Sequence, residues 1–119
     1  MKTKLILFSI LLALLSGCGD QVNSSKLIGV WECIDAWDAD AVGARYTFYK
    51  DGRLLQQDSL GLSKRFVKYE IRKDNLYTYS IKDGSLIFSD PVSLKSGILS
   101  VGIKNSTEDW IHFKKVSEI

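Results

Sequence analysis

The chain has little of what most catalytic or metal-binding chemistry requires. Its 119 residues include one histidine, two cysteines and one proline. His112 alone cannot supply the paired histidine and cysteine spacing of a zinc site, and there is no phosphate-cradling glycine loop or dinucleotide fingerprint. Nucleophilic catalysis needs a nucleophile beside a base. A solitary histidine in a strand-like segment leads to the expectation of no enzyme, no metal and no cofactor. Charge of one sign is lacking too. The sequence has 16 basic and 14 acidic residues, and without residues 1–17 it has 14 of each. This removes the clustered positive field that nucleic acid would need. With 45% apolar residues and so little proline, a disordered or fibrous chain is excluded, and the length holds one domain.

No apolar run reaches the roughly 20 residues of a membrane-spanning helix. Residues 1–17 instead have a short basic start, an apolar stretch over 5–15 and small residues at the end, which is a secretory signal pattern. It closes on Leu15-Ser16-Gly17-Cys18, which resembles the lipobox of bacterial lipoproteins. The resemblance implies cleavage before Cys18 and lipidation of its sulfur, an anchor held by more than one buried acyl chain. Gly19, where an aspartate would signal retention, implies by the same resemblance the outer membrane, facing the periplasm. Residues 18–25 are small and polar and read as a flexible lipidated tether reaching about 15 Å. The domain is then expected over 26–119.

From Leu27 onward the chain is rich in strand signals. Short segments with period-two alternation, β-branched and aromatic residues are broken every 8 to 12 residues or so by turn residues. The spacing predicts eight strands, over 29–36, 45–50, 53–59, 64–72, 76–82, 85–89, 98–104 and 110–115. Asp51-Gly52 and Asp83-Gly84 read as two-residue hairpin loops, and Lys73-Asp74-Asn75 as a three-residue loop. Those turns pair Phe48 with Leu55, Tyr69 with Tyr79, and Tyr79 with Phe88. One face then collects Val67, Tyr69, Ile71, Tyr77, Tyr79, Ile81, Leu86 and Phe88. The other carries Lys68, Glu70, Arg72, Thr78 and Ser80, the alternation of an antiparallel sheet solvated on one side. The expected fold is all-β, a small up-and-down antiparallel barrel, with a two-sheet β-sandwich as the alternative.

Three segments carry a family resemblance: Leu27-Ile28-Gly29-Val30-Trp31 at the first strand, Tyr46-Thr47-Phe48-Tyr49-Lys50-Asp51-Gly52-Arg53 running into a hairpin, and Tyr69-Glu70-Ile71 followed by Asn75-Leu76. In order and spacing they resemble the small bacterial lipocalin-like domain, which is often found in lipoproteins. The resemblance implies a non-catalytic binding domain of about eight strands.

Two functions are expected from these features. The first is binding of a small apolar or amphipathic ligand lined by Trp31, Tyr69, Tyr79 and Phe88, which requires that part of the inner face be left unfilled. The second is a protein-interaction module of the cell envelope, such as an assembly accessory, an inhibitor or an immunity lipoprotein. That reading requires a filled core and an exposed patch, with Trp37 beside Asp35, Asp38 and Asp40, and Lys64, Lys68 and Arg72 as candidates. The three aspartates lack the further ligands and the glycine of a calcium loop. Cys33 alternates with Trp31 and reads as a small buried hydrophobe.

Overall fold

The computed structural model describes residues 22–103 and 106–119. The expected signal segment, Cys18, residues 19–21 and residues 104 and 105 lie outside the described residues. Eight strands are formed, in chain order β1 (Gly29–Asp35), β2 (Arg45–Phe48), β3 (Arg53–Gln57), β4 (Lys64–Arg72), β5 (Asn75–Tyr79), β6 (Leu86–Lys95), β7 (Ile98–Ile103) and β8 (Ser106–Ser117). Each is antiparallel to the next and β8 returns to pair with β1, so the sheet closes into a barrel. Closure removes every exposed sheet edge, and it decides between the two expected architectures in favour of the barrel.

Alternation places Trp31, Cys33, Phe48, Leu54, Val67, Tyr69, Leu76, Val92, Leu99, Val101 and Phe113 in one buried core. Phe48 stacks edge-on to Tyr69 with ring centroids 5.0 Å apart, and Tyr46 lies 4.7 Å from Phe113. Such contacts between large rings fill the middle of an eight-stranded barrel with side chains. Gly29 opens β1 at φ +137°, where an L side chain is strained, and a Cβ there would run into Lys115 and the Ser117 carbonyl. The glycine two residues before the tryptophan is therefore a close-approach position against β8.

Two turns differ from expectation by one residue, and that is enough to exchange faces. Lys73 and Asp74 both adopt positive φ, so the β4–β5 connection is a two-residue turn and Asn75 joins the ladder opposite Arg72. Tyr69 now pairs with Thr78, and Leu76 and Thr78 are the buried residues of β5. Tyr77 and Tyr79 point outward, so Tyr79 is no part of an inner lining. Gly52 has positive φ as expected, but Tyr49 N–H donates to the Arg53 carbonyl, and Phe48 pairs with Leu54. The third loop spans residues 80–85, which leaves Ile81 outside the ladder and pairs Phe88 with Thr78.

The two ends of the barrel are built differently. At one end lie the β2–β3, β4–β5 and β6–β7 turns and the segment entering β1. A single helical turn, α1 (Ser24–Leu27), begins under an Asn23 cap whose side chain accepts from Lys26 N–H. Val22 N–H donates to Asp74 Oδ1 at the β4–β5 turn, Leu27 is fully buried, and its carbonyl accepts from Trp31 Nε1 at 2.8 Å. Because β1 stands opposite β4 and β5 in a ring of eight, residues 22–28 cross this end from one wall to the other and close it. Val22–Ser25 thus belong to the folded domain, which corrects the expected tether over 18–25. The other end carries the loops 36–44, 58–63 and 80–85 and, among the described residues, has no such crossing.

Candidate functional site

The open end combines a recess with a rim. Its recess, about 320 Å³, is lined by Tyr46, Gln56, Gln57, Asp58, Ser63, Lys64, Arg65 and Phe88. Tyr46, Gln56 and Arg65 come from the inward positions of the neighbouring strands β2, β3 and β4, one step outside the apolar core, and Phe88 joins them from β6. Arg65 donates from Nε and Nη2 to Gln56 Oε1 at 3.1 and 2.9 Å. The Gln56 amide also hydrogen-bonds the Tyr46 hydroxyl, while burial pushes that phenol above its ordinary value and keeps it neutral. The floor is therefore a polar row, Tyr46, Gln56 and Arg65, across three strands.

Large apolar side chains are exposed around this recess: Trp37 and Val42, Leu60 and Leu62, and Ile81 together with Leu86 where β6 begins. Leu60 and Leu62 are 76% and 82% exposed and Trp37 is 61% exposed. Each of the three loops is fastened by an aspartate. Asp38 accepts from Asp40 N–H and caps the short 3₁₀ turn Ala39–Ala41. Asp58 accepts Leu62 N–H at 2.9 Å, with Gly61 N–H on its carbonyl. Asp83 accepts from both the backbone and the hydroxyl of Ser85, and those bonds hold its carboxyl below its ordinary value. Side chains of this type bonding to nearby backbone groups fix turns. The apolar tips are thus presented by ordered turns, and the acidic residues around Trp37 have a structural task. Among the described residues no cluster of three or more His, Cys, Asp or Glu could hold a metal ion.

The expected lining residues separate. Trp31 and Tyr69 are core: Trp31 is 2% exposed, and Tyr69 donates its hydroxyl to the Tyr49 carbonyl at 3.0 Å. Phe88 alone reaches the recess. Tyr79 lies on the outer wall, where it donates to Glu70 and accepts from Arg72. The expected interaction patch separates as well. Lys64 borders the recess and Trp37 the rim, whereas Arg72 is engaged by Glu70, Tyr79 and the face of Tyr77 at the opposite end. Lys68 faces outward between Arg53 and Tyr79 on the wall. Lys64, Lys68 and Arg72 share the outward face of β4, and Trp37 stands apart from them in the loop 36–44. Cys33 is buried, and burial pushes its thiol above the ordinary value, which disfavours the thiolate.

His112 is less solitary than its sequence suggests. Ser100 Oγ lies 2.7 Å from His112 Nδ1, and Asp35 stands opposite His112 across β1 and β8. No hydrogen bond joins Asp35 to the imidazole among the described residues, so the row on the outer wall lacks the base–carboxylate link of a nucleophilic triad. The leucines flanking Gly61 were the signal that sequence reasoning passed over, because two large apolar residues in a glycine turn have no inner face to occupy.

The fold and site define a small, closed, eight-stranded lipocalin-like barrel with one sealed and one open end. No protein-family model matches the chain, and no curated protein is significantly similar to it.

Proposed function

We propose that the protein is a non-catalytic, membrane-anchored lipoprotein of the cell envelope that binds a protein partner with the open end of its barrel. Cys18 is its lipidation site, and the outer membrane facing the periplasm is its place. One observation carries the binding surface: large apolar side chains of three loops, with Leu60, Leu62 and Trp37 mostly exposed, gather around a polar recess on turns fastened by Asp38, Asp58 and Asp83. Exposed apolar groups gathered within a polar frame mark interaction surfaces, and pre-ordered loops lower the entropy lost on docking. The filled core supports this reading over a ligand engulfed in the barrel, since Trp31 and Tyr69 are spent on packing.

A second reading rests on the recess itself. Phe88 and Tyr46 beside Gln56 and Arg65 offer an apolar wall and a polar floor to the head of a small amphipathic molecule, and 320 Å³ is at the lower end of ligand-site volumes. Native mass spectrometry of the full-length protein, gently extracted from its host membranes, separates the two. A protein partner present with the wild type and absent with Leu60→Ser plus Leu62→Ser is the expected result. A small molecule of a few hundred daltons retained by both forms supports the recess instead.

A further inference from the structure

We infer that the sealed end of the barrel seats on the anionic head groups of the bilayer that anchors the protein, so that the open end faces away from that membrane. The inference rests on the proposed lipidation of Cys18 and adds an orientation and a contact surface to it.

Chain geometry comes first. The described chain begins at Val22, fastened to Asp74 at the sealed end. Cys18 is only four residues earlier, so its sulfur can lie at most about 14 Å farther along the backbone. β4, nine residues long, sets the separation of the two ends at about 20 Å once its tilt in an eight-stranded barrel is allowed for. An acyl anchor on Cys18 therefore reaches a bilayer beneath the sealed end and falls short of the open one.

Charge points the same way. Each connection at the sealed end brings an exposed lysine: Lys26 in α1, Lys50 in the β2–β3 turn, Lys73 in the β4–β5 turn and Lys95 where β6 meets the β6–β7 turn. The carboxylates at that end are engaged internally. Asp51 is ion-paired with Arg53 and Glu118 with Lys115, while Asp74 accepts Val22 N–H and keeps its charge, so basic groups still outnumber acidic ones there among the described residues. Loops of the open end bring Asp38, Asp40, Asp58 and Asp83, and the basic groups near them among the described residues are Lys82, Lys64, Arg65 and Arg45, the last paired with Glu32. A shallow, mostly apolar depression of about 390 Å³ between Ile28, Tyr49, Lys50, Asp51 and Ile119 also lies at the sealed end. Lysines around an apolar and aromatic patch match the interface of an anionic bilayer, where basic side chains meet phosphate and a tyrosine ring sits at head-group depth. The open end is richer in apolar tips, but an anionic surface would repel its aspartates.

Full-length protein, isolated from membranes and reconstituted into vesicles of phosphatidylglycerol and phosphatidylethanolamine doped with a quencher-bearing lipid, tests this. A fluorophore is placed at Ser96→Cys in the sealed end or at Leu62→Cys in the open end; Cys33 is buried and escapes the label. The expected result is quenching at least threefold stronger at position 96 than at position 62. Lys50→Glu combined with Lys73→Glu should narrow that difference. Equal quenching at both positions, deeper quenching at position 62, or no effect of the charge reversal overturns the seating. Intact mass of the same sample reports the anchor separately: an unmodified Cys18 overturns the lipidation reading and the seating with it, whereas a lipidated but unoriented protein overturns the seating alone.

Discussion

The two ends of this barrel spend their apolar residues in opposite ways. At the sealed end, Val22 and Leu27 are drawn into the core, and the Trp31 indole is satisfied by the Leu27 carbonyl. At the open end, Leu60, Leu62 and Trp37 are kept out of the core by turns fastened by Asp58 and Asp38. Burying a leucine gains roughly 2 kcal/mol, so leaving these groups mostly in water forgoes stability that the sealed end collects. Side chains that stay largely exposed yet are held in place by ordered turns are the ones from which a docking surface is made.

That contrast can be broken at either end. The largest effect is expected for Trp31→Ala, which removes a fully packed ring and orphans the Leu27 carbonyl: a loss of about 3–5 kcal/mol in denaturant unfolding. Gly29→Ala comes next. It forces a side chain into φ +137° and against β8, and should cost about 2 kcal/mol by the same measurement. Asp74→Ala removes the acceptor that ties Val22 to the β4–β5 turn and should cost about 1 kcal/mol. Hydrogen exchange should then quicken over residues 22–28 while the strands of the open half keep their protection. Smallest of all, Leu60→Ser with Leu62→Ser should leave the unfolding free energy within about 0.5 kcal/mol of wild type, because both side chains already stand in solvent. A large destabilisation by that pair would mean that these leucines belong to the core.

Much of the fold was legible because strand alternation and glycine turns are local signals. All eight strands were located, and Trp31, Tyr69, Cys33 and Phe88 were assigned to the inner face they occupy. Registers were less legible, since they depend on how many residues a turn consumes. Reading Lys73-Asp74-Asn75 as the loop placed Tyr77 and Tyr79 inside. Lys73 and Asp74 instead turn by themselves, which buries Leu76 and Thr78 and leaves the two phenols near Arg72 and Glu70. The strand expected over 85–89 is longer, although a proline cannot donate to a ladder. Pro91 sits opposite Asn75, the first residue of β5, where that ladder is ending, and the strand runs on to Lys95. The recess was invisible for another reason. Tyr46, Gln56 and Arg65 belong to three strands and meet only when the sheet is rolled and correctly registered.

The claim that binding belongs to the open end is tested most directly in living cells of the host, with a photo-crosslinking amino acid in place of Leu62 or, as a comparison near the sealed end, Val116. Both positions are exposed. The expected result is a discrete protein adduct from position 62 and none from position 116. An adduct from position 116 with none from position 62 would contradict the account.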